Sequence, residues 1–515
     1  MHVVTAEQMR AADAAAVAER GDVALMRAAG DAVAEAVRVL WPRARRIVAF
    51  AGPGNNGGDA YAALASAAEH AHLHARAREW IVYALAAASP SSGRRDAENR
   101  AQSSGIITRP FPRDAGEAER ALEGADLVLD AMLGTGSRPD VPEPLRSAIE
   151  ALSTSAVPVL AIDIPTGIDP TTGAVAETAV RAHATVTLGA PKLGLLLEPA
   201  RGYAGSIFVG DLHLAAELAR AEGTAFAALD TAEFLALLPR RGEEADKRES
   251  GAPLIVAGSE QFPGAAVLCA HGAARAGAGY VTVASSSDAA PALRAHLVEQ
   301  VVVTFEEANV ERAIDDLLDL TNRSNAVGLG PGLALSAATG AVVRGFVERL
   351  ERPFVADASA LFHLGKHLDI LRGKRCVLTP HEREFARLSG EGTIVPGTRV
   401  ARLRSFVART GVTTLLKGNA TLIDDGSTMH VNVTGSNALA TAGTGDVLTG
   451  VIATLLSQGL APVDAARVGA YWHGLAGREA AHQRPVGVMA GDVAEALGPA
   501  IPEPPERFAR LVPLS

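Results

Sequence analysis

The chain has 515 residues, is 48% hydrophobic and 21% charged, and carries a formal net charge of −10. That length exceeds what one hydrophobic core supports, so two domains are expected, and the acidic balance without a basic, aromatic-laced run excludes a nucleic-acid surface. Cys269 and Cys376, the only cysteines, can form neither a disulfide framework nor a zinc site, which fits a reducing, cytoplasmic compartment; no apolar run approaches the roughly 18 residues of a membrane span.

The opening MHVVTAEQMRAADAAAVAER reads as an amphipathic helix capped by Thr5, without the apolar core of a signal peptide. Residues 47–51 (IVAFA) then form a strand, GPGNNGGD at 52–59 a loop, and AYAALASAAEH a helix. Further apolar runs at 127–133, 157–164, 184–188 and 208–214 alternate with helix-length segments, the pattern of a parallel sheet covered on both faces. Ligands bind such sheets at the carboxyl ends of their strands. The polar loops there are GPGNNGGD, Asp130 with GTGSRPD, and Asp163 with PTGID. GPGNNG has the spacing G-x-G-x-x-G, but this loop is not the dinucleotide fingerprint followed by an acidic residue, and no P-loop occurs in the chain. Asn55, Asn56, Asp130 and Thr166 could build an oxygen cage for a hard cation; taken singly, these residue types serve equally as turn formers and helix caps.

GPGNNGGDA, LDAMLGTG and AIDIPTGID, in this order and after TAEQMRAAD and LMRAAG, resemble the NAD(P)H-hydrate epimerase domain. The resemblance implies a Rossmann-like domain over residues 1–222 that binds a hydrated nicotinamide dinucleotide and potassium. Carried over by position, Asn55, Asn56, Gly57, Gly58, Asp59, Gly134, Thr135, Gly136, Ser137, Arg138, Pro139, Asp140 and Asp163 would contact the dinucleotide. Asn56, Asp130 and Thr166 would hold K+, and Asp163 is the candidate acid–base catalyst. Ala60 stands where the family usually has Gly, a methyl that would crowd a backbone of positive φ.

A charged stretch, PRRGEEADKRESG, breaks the pattern within a linker expected at 223–250. A second α/β series fills 251–515, with strands expected from Leu254, Val281, Val301, Ala326, Pro353, Cys376 and Thr413, then a hairpin through MHVNVTG. Its polar loops are GPG at 330–332, Asp357, TPHEREF, KGNAT and NALATAGTGD. The last opens an apolar helix, where exposed N–H groups and the helix dipole make an anion site, with Asp446 placed to take a proton from a hydroxyl. The same features suit an ordinary glycine turn with an aspartate cap. On position alone, Lys417 and His381 read equally as a solvated strand end and a capping residue.

GLGPG, DASAL, TPHEREF, KGNAT and ALATAGTGDVLTGVIA together resemble the nucleotide-dependent (S)-NAD(P)H-hydrate dehydratases, which have a ribokinase-like fold. By position, Lys417, Gly418, Asn419, Ala420 and Thr421, with Ser436, Asn437, Ala438, Leu439, Ala440, Thr441, Ala442, Gly443, Thr444 and Gly445, would bind the adenine nucleotide. Ala265, Gly332, His381 and Asp446 would contact the hydrated dinucleotide. Glu382 and Arg383 stand where Pro and Gly often follow the histidine. The resemblance implies phosphorylation of the ring hydroxyl of NADH hydrate or NADPH hydrate by ADP with Mg2+, then loss of phosphate. Asp446 would be the base, and the N–H groups of Thr444, Gly445 and Asp446 would stabilise the phosphoryl charge. It also implies a homo-oligomer. The alternatives are a ribokinase-like small-molecule kinase and a non-catalytic dinucleotide sensor.

Overall fold

A computed structural model of the chain describes residues 1–71, 79–136, 141–239, 250–395, 397–504 and 510–514. The backbone divides into two compact units, the first holding Met1–Ala227 with the C-terminal strand and the second beginning at Ala228.

Thr5 caps the helix Ala6–Arg20: its hydroxyl accepts the Gln8 N–H while the Gln8 side chain accepts the Thr5 N–H, closing a capping box. Met9, Ala12 and Ala16 recur on one face and are buried. The sheet of this unit has eight strands. In spatial order they are Leu511–Pro513, Ser206–Gly210, Ala184–Leu188, Val159–Ile162, Leu127–Ala131, Arg46–Ala51, Glu79–Ala84 and Ile107–Pro110. All pairings are parallel except that of Leu511–Pro513 with Ser206–Gly210. Ile47 to Ala51 are fully buried, as a strand covered on both faces requires. From Arg46–Ala51 the chain runs outward to one edge, then returns to lay Leu127–Ala131 on the other side. The loops after these neighbouring strands therefore diverge and open a crevice.

Several elements differ from expectation. Asn55 to Asp59 are not loop but the start of a helix, Asn55–Ala71, because Gly57 and Gly58 serve close packing rather than a turn. A Cβ at Gly57 would overlap the Gly52 carbonyl oxygen, and one at Gly58 would meet the Met26 thioether at 2.8 Å. Ala60 is therefore helical and fully buried, and no positive φ is asked of it. The strand expected at 208–214 is Ser206–Gly210, with Asp211 turning the chain. It is not the last of its sheet, since Leu511–Pro513, from the stretch expected in the second domain, forms the antiparallel edge beyond it. Glu79–Ala84 and Ile107–Pro110 were not anticipated; the latter reads ITRP and has no apolar run.

In the second unit the strands lie in the order Thr428–Asn432, Thr421–Asp424, Thr413–Leu416, Cys376–Leu378, Phe354–Ala356, Ala326–Leu329, Pro253–Val256, Thr282–Ser286 and Val301–Phe305. The sheet is parallel from Thr413–Leu416 to Val301–Phe305; the expected hairpin adds the antiparallel strands. The helix Thr444–Ser457 is apolar on all sides and nearly wholly buried. It lies tight against the helix Pro263–Arg275 because Gly450 and Gly272 meet each other's helix backbones where a Cβ would overlap.

Candidate active sites

In the first unit the diverging loops enclose a cleft of about 500 Å3. Asn55, Asn56, Asp59, Gly134, Thr135, Gly136 and Asp163 line it. Gly57 and Gly58 do not, being turned into packing contacts. Ser137, Arg138, Pro139 and Asp140 lie outside the described residues. Asp163 has a φ of +68°, a strained setting for a residue with a Cβ, held by the bonds around it. Its Oδ1 accepts from the Leu188 N–H at 3.2 Å and from Lys192 Nζ at 2.5 Å, and the same ammonium donates to the Leu188 carbonyl at 2.6 Å. Lys192 is only 1% exposed yet lines the cleft. Asp59 is buried, and burial, reinforced by Asp163 and Asp13, pushes its carboxyl well above the usual range.

Beneath the cleft, Asp130 and Thr166 are fully buried. Thr166 donates its N–H and hydroxyl to the two Asp130 oxygens at 2.8 and 2.7 Å. Burial pushes the Asp130 carboxyl up to about 6 against those bonds. Leu133 joins this pair to Asn56: its N–H donates to Thr166 Oγ1 at 3.1 Å and its carbonyl accepts Asn56 Nδ2 at 2.9 Å. Asn56 Oδ1 is buried and meets no donor among the described residues. Residue-by-residue reading missed Arg94. It is 1% exposed and donates to the carbonyls of Gly52 and Gly54, both at 2.7 Å, bracing the loop that opens the cleft. Its sequence setting, SSGRRDAENR, gives no sign of burial; Lys192 is signalled only by the scarcity of lysine in the chain.

In the second unit Lys417, at the end of Thr413–Leu416, meets Asp357, at the end of Phe354–Ala356, with Nζ 2.8 Å from Oδ1. Thr449, one turn into the helix Thr444–Ser457, donates to the other Asp357 oxygen at 3.0 Å. Ala358, next to this aspartate, has a φ of +49°. A Cβ on Gly445 would stand 3.3 Å from Lys417 Nζ, so the ammonium lies directly under the helix N-terminus. Burial opposes the Lys417 charge, but Asp357 and Glu384 outweigh it and hold its pKa above the ordinary value. Asp446 enters in the first helical turn. Burial, then the nearby Asp357, push its carboxyl up to about 7, against the pull of Lys417.

The loop before this helix is tied to itself. Gly443, with a φ of +91°, makes the turn, and the Thr444 hydroxyl donates to the carbonyls of Leu439 and Thr441. The Asp446 N–H is taken by the Gly443 carbonyl and that of Thr444 makes a long 3.4 Å bond to Thr441. Of the expected anion-binding N–H groups, Gly445 alone meets no acceptor among the described residues. Asn419 comes close to Gly435, a Cβ on Gly435 standing 3.3 Å from the Asn419 carbonyl oxygen. Gly332 packs on Ala265 and Phe262. His381 is a helix cap: its Nδ1 accepts the N–H groups of Arg383 and Glu384, while Glu384 accepts the His381 N–H. Glu382 and Arg383 are thus ordinary first-turn residues. His473 was also missed; it is buried against Thr444, and burial lowers its pKa to about 4.

Comparison with known proteins matches these features to families. A family model described as NAD(P)H-hydrate dehydratase covers residues 253–499, and one described as YjeF-related protein N-terminus covers residues 22–194. The bifunctional NAD(P)H-hydrate repair enzyme Nnr of Pyrobaculum aerophilum is 35% identical over 92% of this chain and 92% of its own. The chain belongs to the bifunctional NAD(P)H-hydrate repair enzymes. The members from Moorella thermoacetica, 35% identical over 96% of both chains, and Mycobacterium tuberculosis, 35% identical over 90% and 91%, agree. As a bifunctional NAD(P)H-hydrate repair enzyme, the chain joins an epimerase, in the parallel-sheet first unit, to a dehydratase, in the α/β second unit. No helix among the described residues is long and apolar enough to cross a membrane.

Proposed function

We propose that Asp446 is the base that removes the proton from the ring hydroxyl of (S)-NADH hydrate or (S)-NADPH hydrate while ADP phosphorylates it. Phosphate then departs with the C–O electron pair, where hydroxide would leave poorly. The single observation that carries this reading is the placement of Lys417 between Asp357 and the N-terminus of the helix that bears Asp446. The ammonium and the Gly445 N–H stabilise charge on the phosphoryl group, and a carboxylate with a pKa of about 7 accepts a proton readily near neutrality. Lys417 to Thr421 and Ser436 to Gly445 hold the nucleotide; Ala265, Gly332 and His381 hold the hydrated dinucleotide. Magnesium carried with the nucleotide would neutralise charge on the transferring group.

In the first unit Asn55 to Asp59, Gly134 to Asp140 and Asp163 bind the hydrated dinucleotide, and Asp163 serves proton transfer at C6. The orphaned Asn56 Oδ1, the Asp130 carboxyl and the Thr166 hydroxyl suit a potassium ion, which would bring positive charge to the floor of the cleft. A homo-oligomer in the cytoplasm completes the proposal, with light scattering its check.

The decisive experiment follows reduced-ring absorbance while the protein acts on mixed R and S NADH hydrate with magnesium, potassium and either ADP or ATP. Full recovery with ADP supports both halves and the donor. Recovery of the S fraction alone removes the epimerase assignment. Nucleotide consumption with a stable phosphorylated product replaces the dehydratase reading by the kinase.

A further inference from the structure

The opening motif TAEQMRAAD does more than cap and pack. Thr5 and Gln8 close the capping box, and Met9 and Ala12 enter the core, which leaves Asp13. This carboxyl lines the epimerase cleft and faces Lys192 and Asp163. Lys192 spends two of its donors on Asp163 and the Leu188 carbonyl, and its own burial demands a compensating charge.

We propose that Asp13 is the second acid–base group of the epimerase cleft, sharing with Asp163 the one proton that inversion at C6 requires, and that Lys192 is the positioning residue between them. The proposal rests on the epimerase reading of this cleft. In one direction the protonated carboxyl of the pair gives its proton to the C6 oxygen. The C6–O bond breaks, its electron pair leaves with the oxygen as water, and the N1 lone pair forms the N1=C6 bond. Water then adds to the opposite face of C6, the N1=C6 π pair returns to nitrogen, and the other carboxylate takes the proton from that water. Atoms and charge balance: the ring is inverted and one proton has crossed from one carboxyl to the other. The reverse reaction runs with the pair oppositely charged.

The fold supplies what this chemistry needs. Asp13 comes from the helix Ala6–Arg20 and Asp163 from the turn after Val159–Ile162, so the carboxyls reach the cleft from separate elements. Burial raises Asp13 to about 6 although Lys192 pulls it down, while Asp163 is ion-paired, and such a division of environments marks an acid and a base. The other charged groups facing Asp13 do not replace it. Asp59, from the helix Asn55–Ala71, has its carboxyl pushed well above the usual range by burial, and the Asp22 carboxylate is taken by the Ser92 hydroxyl and the Gly93 N–H. Arg10, on the same helix as Asp13, is turned to the Thr135 carbonyl.

The test uses the full chain and purified (R)-NADH hydrate without nucleotide, following the S form by chromatography; dehydration of the S form with ADP is the folding control. Wild-type kcat/KM should be bell-shaped in pH, because the pair works only while it shares one proton. Asp13→Asn should lower epimerisation about 10² to 10⁴-fold with dehydration unchanged. Lys192→Met should lower kcat more than it alters KM and move the pH limbs, with Lys192→Arg recovering most of the rate. Epimerisation by Asp13→Asn within twofold of wild type, with the same pH profile, would overturn the proposal. A dead Asp163→Asn beside an intact Asp13→Asn overturns only this inference; a wild-type chain that does not epimerise removes the epimerase reading and this inference together.

Discussion

Both catalytic regions are built on a lysine held by an aspartate at a strand end, and both place a residue of positive φ there. In the epimerase cleft the strained residue is the paired aspartate itself, Asp163. In the second site it is Ala358, the neighbour of Asp357, and the carboxyl proposed as the base is a different one, Asp446, which makes no ion pair among the described residues and stands at a helix N-terminus. The difference follows from the chemistry. The proposed inversion at C6 takes a proton from one carboxyl and returns one to the other, which suits an Asp163 carboxylate balanced by an ammonium. In the roles proposed above, phosphorylation needs a base that takes a proton, and burial beside Asp357 raises the Asp446 pKa to suit it, while Lys417 would meet the phosphate.

The sharpest way to break this comparison is Asp446→Asn. Dehydration of the S form should fall about 10² to 10⁴-fold, read from reduced-ring absorbance, with epimerisation of the R form intact. Next is Asp357→Asn, which unmoors Lys417 and removes a charge that raises the Asp446 pKa. Dehydration should lose about ten- to a hundredfold in kcat. Wild-type kcat/KM should fall as pH drops below about 7, because Asp446 must be ionised to accept a proton. In the variant that acid limb should move to lower pH; an unmoved limb means Asp446 does not set it.

Smaller effects concern the frame of the first cleft. Arg94→Met strands the carbonyls of Gly52 and Gly54, and should cost about 1 to 3 kcal/mol in denaturant unfolding of the first unit and raise the epimerase KM. Ala60→Gly, which restores the residue usual in the family, should destabilise by about 1 kcal/mol, since Ala60 lies in a helix interior. A stabilised variant would show that the helix starts later.

The pieces of this protein that were legible in the chain are those whose cause is local. Apolar runs such as IVAFA marked strands because a parallel sheet buries both faces. The GTGD turn marked a helix start because glycine and a first-turn aspartate suit one, and Thr5 with Gln8 marked another by its capping box. GPGNNGGD misled because glycine signals both turns and close packing, and only the contacts of Gly57 with Gly52 and of Gly58 with Met26 tell them apart.

What only the tertiary structure decided are relations between segments far apart in sequence. The ion pair of Asp163 with Lys192, the arrival of Asp13 in the same cleft and the bracing of Gly52 by Arg94 depend on how crossover connections lay strands side by side. The antiparallel pairing of Leu511–Pro513 with Ser206–Gly210 is written in backbone hydrogen bonds that any residue but proline can donate, so no side-chain pattern announces it. The raised pKa of Asp446 is likewise a property of burial and neighbouring charge. The residue type was present in the sequence, but the environment that raises its pKa exists only once the helix Thr444–Ser457 is packed beside Asp357 and Lys417.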